Sequence, residues 1–190
     1  MKTVAMDFSE PFHQALPYDD FLDRYASPQQ RQRWDTFHDS ITLTPEQQLL
    51  LQGFTRRQRV LCLAGTWCGD CVEQCPIFDH FQANNPLLDI RYQDRDHDPQ
   101  LQQALEICGG ARVPVVVFLS EEDLFVGRYG DRTLTKYRQM QAATTGPACP
   151  TGLGTGAELT IAVVQEWLDE FERIQLLLRT SPRLRKKHGD

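Results

Sequence analysis

The chain has 190 residues, of which 41% are hydrophobic and 24% are charged, so it can hold one domain with appendages and bury a core. Its net charge of −6 argues against a broad nucleic-acid surface, which needs clustered basic residues. The longest apolar stretch, Val113 to Leu119, has seven residues and contains a proline, whereas a membrane-spanning helix needs about 20. The N-terminal residues contain no apolar segment typical of a secretory signal, and we therefore expect a cytoplasmic protein.

The first 56 residues predict a helical extension that packs on the rest of the protein. Apolar residues from Phe21 to Ile41 recur mostly at helical intervals, and the break at Ser27-Pro28 allows two short helices or one kinked helix. Thr44, Pro45 and Gln47 form a typical helix start. We expect the first ten or so residues to be ordered only if they dock. We also expect the final helix of the chain to cover the apolar faces of the extension.

Residues 57–178 predict an α/β domain. Val60 to Ala64 is a continuous apolar run, as in a strand that is buried on both faces. A helix from about Cys68 to Phe81 and a strand from Leu87 to Tyr92 complete a strand–helix–strand unit with parallel strands. Further elements follow along the sequence: a helix after Pro99, a β-hairpin over 113–129, a helix over 133–143, a loop insertion over 144–157, and a long helix over 158–178.

Residues 179–190 form a basic tail, with Arg or Lys at five positions and one acidic residue, Asp190. Such a terminus is usually solvated and frayed, and we expect the same here. Contact of the tail with nucleic acid or a membrane stays open as an alternative.

Six cysteines are the most informative residues, and without a secretory signal we do not expect them to form a structural disulfide framework. They lie at Cys62, Cys68, Cys71, Cys75, Cys108 and Cys149. Cys68 and Cys71 lie at the predicted strand-to-helix junction. Unpaired amides at a helix N-terminus stabilise an anion, so we expect a lowered pKa for Cys68, opposed by the carboxylate of Asp70. Cys71 lies one turn further on, where it can attack a mixed disulfide at Cys68, so the pair predicts thiol–disulfide exchange.

The sequence around this pair resembles the active site of the thioredoxin family. Residues 66–71, Thr-Trp-Cys-Gly-Asp-Cys, are similar to the family's Trp-Cys-Gly-Pro-Cys site, and Pro76 matches the proline of its active-site helix. Val113-Pro114 resembles the family's cis-proline segment, and Gly130 resembles a glycine near its substrate groove. The resemblance covers roughly 58–143. The helices on either side of it indicate a bacterial thioredoxin-like subfamily.

The resemblance implies a thioredoxin-like fold, a four-stranded mixed sheet flanked by helices, here with an N-terminal helical extension and a long C-terminal helix. It implies Cys68 as the attacking thiol and Cys71 as the resolving thiol. The remaining site residues would support them (Trp67, Gly69, Asp70, Pro114) or contact the substrate (Val113, Gly130). We expect protein disulfides as substrates and a thiol reductase or small thiol for recycling. No cofactor, metal, nucleic acid or membrane partner is expected. Reductant, oxidant and isomerase roles stay open.

Two positions depart from the family pattern. The dipeptide between the cysteines is Gly69-Asp70, and Cys62 occupies the position of the family's buried aspartate. Two other functions therefore stay open: a redox-inert peptide-binding module that uses a groove between Trp67 and Pro114, and a metal or iron–sulfur protein that uses Cys68, Cys71 and Cys75. Elsewhere, we expect Cys62, Cys75 and Cys108 to be packed inside, whereas a reactive, exposed Cys149 is as plausible as an inert one.

Overall fold

The computed structural model describes residues 6–145 and 156–190. Ten helices and four strands follow each other along this part of the chain, in the order α1 (Ser9–Gln14), α2 (Tyr18–Tyr25), α3 (Pro28–Ser40), α4 (Pro45–Gln52), β1 (Gln58–Ala64), α5 (Gly69–Val72), α6 (Cys75–Asn84), β2 (Leu88–Asp94), α7 (Pro99–Ala104), β3 (Val115–Leu119), β4 (Phe125–Gly130), α8 (Leu134–Thr145), α9 (Ala157–Thr180) and α10 (Pro182–His188). The predicted loop insertion at 144–157 lies mostly outside the described residues, and Cys149 with it. The division into extension, domain and tail stays a prediction.

The strands form the predicted four-stranded mixed sheet, and their order in it is β2-β1-β3-β4. β1 is parallel to β2 and antiparallel to β3, and β3 is antiparallel to β4. β1 therefore lies inside the sheet, and Val60 to Ala64 are buried on both faces. This placement explains their continuous apolar run. It also brings the C-terminal ends of β1 and β2 to the same edge of the sheet.

The helix predicted from Cys68 to Phe81 is wrong as a single element, because it is broken into α5 and α6. Pro76 lacks the amide hydrogen that a continuous helix would use to bond the Val72 carbonyl, and its ring would clash there. The chain instead turns at Glu73-Gln74 and restarts at Cys75, with Pro76 in the first turn of α6. The break aims the side chain of Gln74 into the protein, where it is fully buried.

The N-terminal extension docks mainly on the sheet edge and on α6, and it also contacts the final helix as expected, since the Gln47 side chain donates to Gln165 over 2.9 Å. The break at Ser27-Pro28 produces two helices, and a capping box at Ser27 begins the second. α2 packs against β2, while α3 and α4 pack against α6. Leu16 also forms an antiparallel bridge with Tyr92 on the free edge of β2. The extension therefore covers an edge that would otherwise expose unpaired backbone groups.

The long C-terminal helix α9 completes the core on the same face of the sheet as α6. Trp167 and Phe171 are fully buried. Their rings contact aromatic residues of α6 and of β3 and β4, namely Phe78, Phe81, Phe118 and Tyr129. The edge-to-face arrangement of most of these pairs adds specific stabilisation to the burial of their area.

The basic tail is ordered, so the prediction of a frayed terminus is wrong. Residues 182–188 form α10, in which Leu184 is buried. Lys187 and His188 pair with acidic residues of the β3–β4 turn, Glu121 and Glu122. Opposite charges brought together by the fold and one buried leucine hold this helix in place. Among residues 6–145 and 156–190, no helix has both the length and the apolar character needed to cross a membrane.

Candidate active site

A short active-site loop, residues 65–67, leads from the end of β1 to the cysteine pair. A Cβ at Gly65 would lie 2.7–2.9 Å from atoms of the Trp67 indole, so the close approach of this ring requires glycine. The Thr66 hydroxyl lies 3.2 Å from both the Tyr25 carbonyl oxygen and the side-chain oxygen of Gln30. The Thr66 carbonyl accepts a 3.0 Å hydrogen bond from the indole of Trp34, which is fully buried. The N-terminal extension therefore fixes the loop.

Cys68 and Cys71 lie at the start of α5 with very different access to solvent. Cys68 is the N-cap residue and is partly exposed, whereas Cys71 is fully buried one turn behind it. Cys68 Sγ lies 3.6 Å from the Val113 carbonyl oxygen, and the Gly65 amide donates to Cys71 Sγ over 3.4 Å. Solvent therefore reaches Cys68 but not Cys71.

The two thiols share a hydrogen bond, so they titrate as a pair. That hydrogen bond and burial raise the pKa of Cys68, although the amides of Cys71 and Asp70 lower it. Burial raises the pKa of Cys71, but hydrogen bonds from Cys68, Cys75 and the Gly65 amide outweigh it and lower that pKa to about 5. The expectation of a low pKa on Cys68 alone is therefore corrected. The first proton of the pair leaves at low pH, and the second is held strongly between the sulfurs.

Pro114 and its neighbours form the wall opposite the dithiol. The peptide bond between Val113 and Pro114 is cis, as the resemblance implied. The side chain of Val113 is buried, and its carbonyl is the group that faces Cys68. Gly130 lies across the strand pair from Val115, and a Cβ there would collide with the Pro114 carbonyl. Gly130 therefore allows β4 to approach the cis-proline segment closely.

The residues between the two cysteines have separate surroundings. Gly69 is exposed, and a Cβ there would meet no atom within 4 Å, so the space above the dithiol stays open. The Asp70 carboxylate forms ion pairs with Arg132 at 2.5 Å and Lys136 at 3.4 Å. The charge of Asp70 raises the pKa of Cys71 less than the burial of that thiol does, and two cations balance this charge. The expected direct effect of Asp70 on Cys68 is thus weakened by pairing.

Arg95 is a site residue that sequence reasoning missed. Its guanidinium lies 4.5 Å from the ring centroid of Trp67, whose side chain is 46% exposed. The hydrogen bonds and charge of Asp96 are the main cause of the raised pKa of Arg95, and the charge of Cys68 adds a smaller contribution in the same direction. Arg95 directly follows β2, and its amide bonds the Ala64 carbonyl. Since parallel strands bring their C-terminal ends together, its position could have been predicted from the strand–helix–strand unit.

Gln74 is a second missed residue, and it connects the site to the last helix. Its side-chain amide donates to the carbonyls of Asp70 and Asp131, both over 3.1 Å. Its side-chain oxygen accepts from the Trp167 indole over 3.0 Å. No local sequence signal indicated this role, because it depends on the break between α5 and α6.

The other cysteines fall into two groups. Cys62 and Cys75 are fully buried, as expected, and their sulfurs are 3.7 Å apart. Cys108 is exposed in a turn where its φ is +53°, so the expectation that it is packed inside is wrong. In the part of the chain that the structure describes, no group of three or more Cys, His, Asp or Glu side chains is arranged to hold a metal ion.

Comparisons with known proteins agree with the fold. Solved structures similar to the chain include a protein of unknown function from Pseudomonas aeruginosa, with 22% identity, a TM-score of 0.63, and coverage of 88% of this chain and 99% of that one. An HIV epitope-scaffold protein has 19% identity, a TM-score of 0.64, and coverage of 93% and 99%. These likenesses show the fold alone. No curated protein matches the chain. The sequence model of the family described as Thioredoxin matches residues 15–143, and the chain therefore belongs to the thioredoxin family.

Proposed function

We propose that the protein is a thiol–disulfide oxidoreductase that exchanges disulfides with protein substrates. One observation carries the proposal: the accessible sulfur of Cys68 lies beside the carbonyl that precedes cis-Pro114, while a hydrogen-bonded second thiol, Cys71, is buried directly behind it. An accessible attacker with a sheltered resolver is the arrangement that dithiol exchange requires.

The reaction takes two balanced steps. The Cys68 thiolate attacks one sulfur of a substrate disulfide, a new sulfur–sulfur bond forms, and the other substrate sulfur leaves as a thiolate. Cys71 then attacks Cys68 Sγ, which closes the Cys68–Cys71 disulfide and releases the second substrate thiolate. The two electrons come from the dithiol, and its two protons pass to the departing substrate thiolates, directly or through solvent. A small thiol or a thiol reductase restores the dithiol, and in the reverse direction the same steps oxidise a substrate.

The surrounding residues prepare the pair for this chemistry. The hydrogen bond between the thiols lets one proton leave near pH 5, so a thiolate is available at neutral pH. When Cys68 attacks, its proton passes to Cys71, so the negative charge lies on the exposed sulfur of Cys68. The amides of α5 and the charge of Arg95 stabilise it there. The Val113 carbonyl and the exposed Trp67 ring provide a place for the extended backbone of a substrate.

Trapping of mixed disulfides tests the assignment of the two roles. Cys71→Ser removes the resolving thiol, so adducts with substrate proteins should accumulate on non-reducing gels and disappear with dithiothreitol. Cys68→Ser should trap far less, because Cys71 is buried. The Cys71→Ser/Cys75→Ser double variant controls for slow resolution by Cys75 and should trap at least as well as the single variant. Equal trapping by both single variants, or none by either, would overturn the assignment and favour a redox-inert binding module.

A further inference from the structure

Four of the cysteines form a sulfur line that runs from the surface into the core, in the order Cys68, Cys71, Cys75 and Cys62. The sulfurs of Cys75 and Cys62 lie 3.7 Å apart, and Cys71 is near enough to both Cys68 and Cys75 to change the pKa of each. Only Cys68 is accessible, and the other three are fully buried. The mechanism above exchanges disulfides through two of the four thiols, and the inner two form no disulfide in it.

Three elements of the fold assemble this line. Cys62 lies in the middle of β1 and faces α6, and Cys71 lies in α5. The break caused by Pro76 makes Cys75 the first residue of α6, one helical turn beyond Cys71. The hydroxyl of Tyr92 donates to the Cys75 carbonyl over 3.1 Å and holds the start of α6 against the sheet. In an unbroken helix, Cys75 would lie at a different position relative to Cys62.

We propose that Cys62 and Cys75 form a second dithiol–disulfide couple, which exchanges with the Cys68–Cys71 couple inside the protein and lets one chain store two disulfides. The proposal rests on the proposed function, because oxidation enters through Cys68. The sulfurs of Cys62 and Cys75 are already 3.7 Å apart. To form a disulfide bond of about 2.05 Å, they must move about 1.7 Å closer. A disulfide carries no charge, so burial does not penalise the oxidised inner couple as it penalises a thiolate.

The transfer takes two exchange steps without any change in the number of electrons. Cys75 attacks the Cys71 sulfur of the outer disulfide, the Cys71–Cys75 bond forms, and Cys68 leaves and receives the proton that Cys75 loses. Cys62 then attacks Cys75, the Cys62–Cys75 bond forms, and Cys71 leaves and receives the proton of Cys62. The outer couple is now reduced and the inner couple is oxidised. A second disulfide substrate can then oxidise the outer couple again.

The sequence allows a direct assay of the inner disulfide. No Lys or Arg lies between Arg59 and Arg91, so trypsin releases one peptide, 60–91, that contains all four sulfurs. Glu73 is the only glutamate in this peptide, and cleavage after it gives one half with Cys62, Cys68 and Cys71 and another with Cys75. A Cys68–Cys71 disulfide leaves the halves separate, whereas any disulfide to Cys75 joins them.

In the experiment, the full chain is oxidised with excess glutathione disulfide and the reaction is quenched with acid. The remaining thiols are alkylated under denaturing conditions, and the digested peptides are measured by mass spectrometry. The wild type should lose four thiols of peptide 60–91 and show joined halves. Cys62→Ala and Cys75→Ala should each form the outer disulfide alone, and Cys62→Val gives a second test should the alanine variant unfold. Cys108→Ala, which lies outside the sulfur line, should behave as the wild type.

Two outcomes would overturn the proposal and leave the proposed function intact. One is a wild type that stops at the Cys68–Cys71 disulfide with separate halves. The other is a Cys68→Ser variant that forms the inner disulfide as fast as the wild type, since we expect at least a tenfold slower reaction when entry through Cys68 is blocked. Absence of the Cys68–Cys71 disulfide itself would instead contradict the proposed function.

Discussion

The two sides of the active-site loop have similar residues in opposite environments. On the outer side, Trp67 and Cys68 are exposed or partly exposed, and Arg95 lies over the indole. On the inner side, Trp34 and Cys71 are fully buried, and the Trp34 indole donates to the loop backbone. The same residue types are therefore open to solvent on one side and hold the loop in place on the other. Access to solvent separates the two roles more clearly than residue identity does.

The largest expected difference between the two sides concerns activity. Replacing Cys68 with Ser should reduce dithiothreitol-dependent insulin reduction to the uncatalysed rate, because a hydroxyl is a poor nucleophile towards sulfur at neutral pH. Cys108→Ser removes another exposed thiol that lies outside the site and should keep the wild-type rate. Insulin turbidity measures both. Residual catalysis by Cys68→Ser would place the attacking thiol elsewhere.

The next effect concerns stability and follows from the two tryptophans. Trp34→Ala removes a fully buried ring and its hydrogen bond, and should lower the free energy of unfolding by about 3–5 kcal/mol. Trp67→Ala removes a ring that is 46% exposed, so its cost should stay below about 1 kcal/mol. Urea unfolding followed by circular dichroism measures both. Similar losses of unfolding free energy in the two variants would contradict the view that Trp34 of the extension anchors the loop more strongly than the exposed Trp67 ring does.

Alkylation at different pH values separates the outer thiols from the inner ones. The pair loses its first proton near pH 5, so iodoacetamide should modify Cys68 at neutral pH and lose this reactivity below about pH 5. Burial raises the pKa of Cys75 well above the ordinary value of 9.0, so its thiol should stay protonated and unmodified. We expect the native protein at pH 7 to react at least about 100-fold faster at Cys68 than at Cys75, because Cys75 needs local opening. Mass analysis of the two halves of peptide 60–91 gives both rates, and comparable rates would contradict the difference in access.

The smallest expected effects are changes in the alkylation rate of Cys68 when a charged residue beside the Cys68–Cys71 pair is replaced. Replacing an acidic residue and replacing a basic residue should change this rate in opposite directions. Asp70→Asn removes a negative charge and frees Arg132 and Lys136, so both changes favour the thiolate and should speed alkylation at pH 5. Arg95→Gln removes a cation that stabilises the charged form of Cys68 and should slow it. Each rate should change by less than about tenfold, because these groups are partly exposed and screened. The control is Arg173→Gln, which removes the cation of an ion pair with Glu170 on α9 and should leave the alkylation rate unchanged. If Asp70→Asn and Arg95→Gln changed the rate in the same direction, this view would be contradicted.

Local patterns in the sequence were sufficient for the sheet and the dithiol. The run from Val60 to Ala64 needs neighbouring strands on both sides, and the Cys68–Cys71 spacing fits the first turn of a helix. Pro76 also carried enough information for the helix break, since the missing amide of a proline is a local property. Arg95 could have been placed from the parallel pairing of β1 and β2.

Contacts between distant segments could not be read from the sequence in the same way. Trp34 and Thr66 are far apart in the chain, and their hydrogen bond depends on how the extension docks. The line from Cys71 through Cys75 to Cys62 depends on the relative placement of α6 and β1. The C-terminal tail is ordered because it pairs with acidic residues in the β3–β4 turn. The run of basic residues in the tail does not by itself indicate where these acidic partners lie.

The turn between β3 and β4 is where both ends of the described chain are fastened by charge. His13 of α1, when protonated, forms an ion pair with Asp123 at 3.1 Å, and Lys187 of α10 pairs with Glu121 and Glu122. Exposed ion pairs are weak singly and are screened at high ionic strength, where the Debye length falls to about 3 Å at 1 M salt. Salt should therefore loosen both terminal helices together, and hydrogen exchange of α1 and α10 should accelerate in parallel while β1 keeps its protection. This acidic turn makes two segments from opposite ends of the sequence respond as one unit to their ionic surroundings.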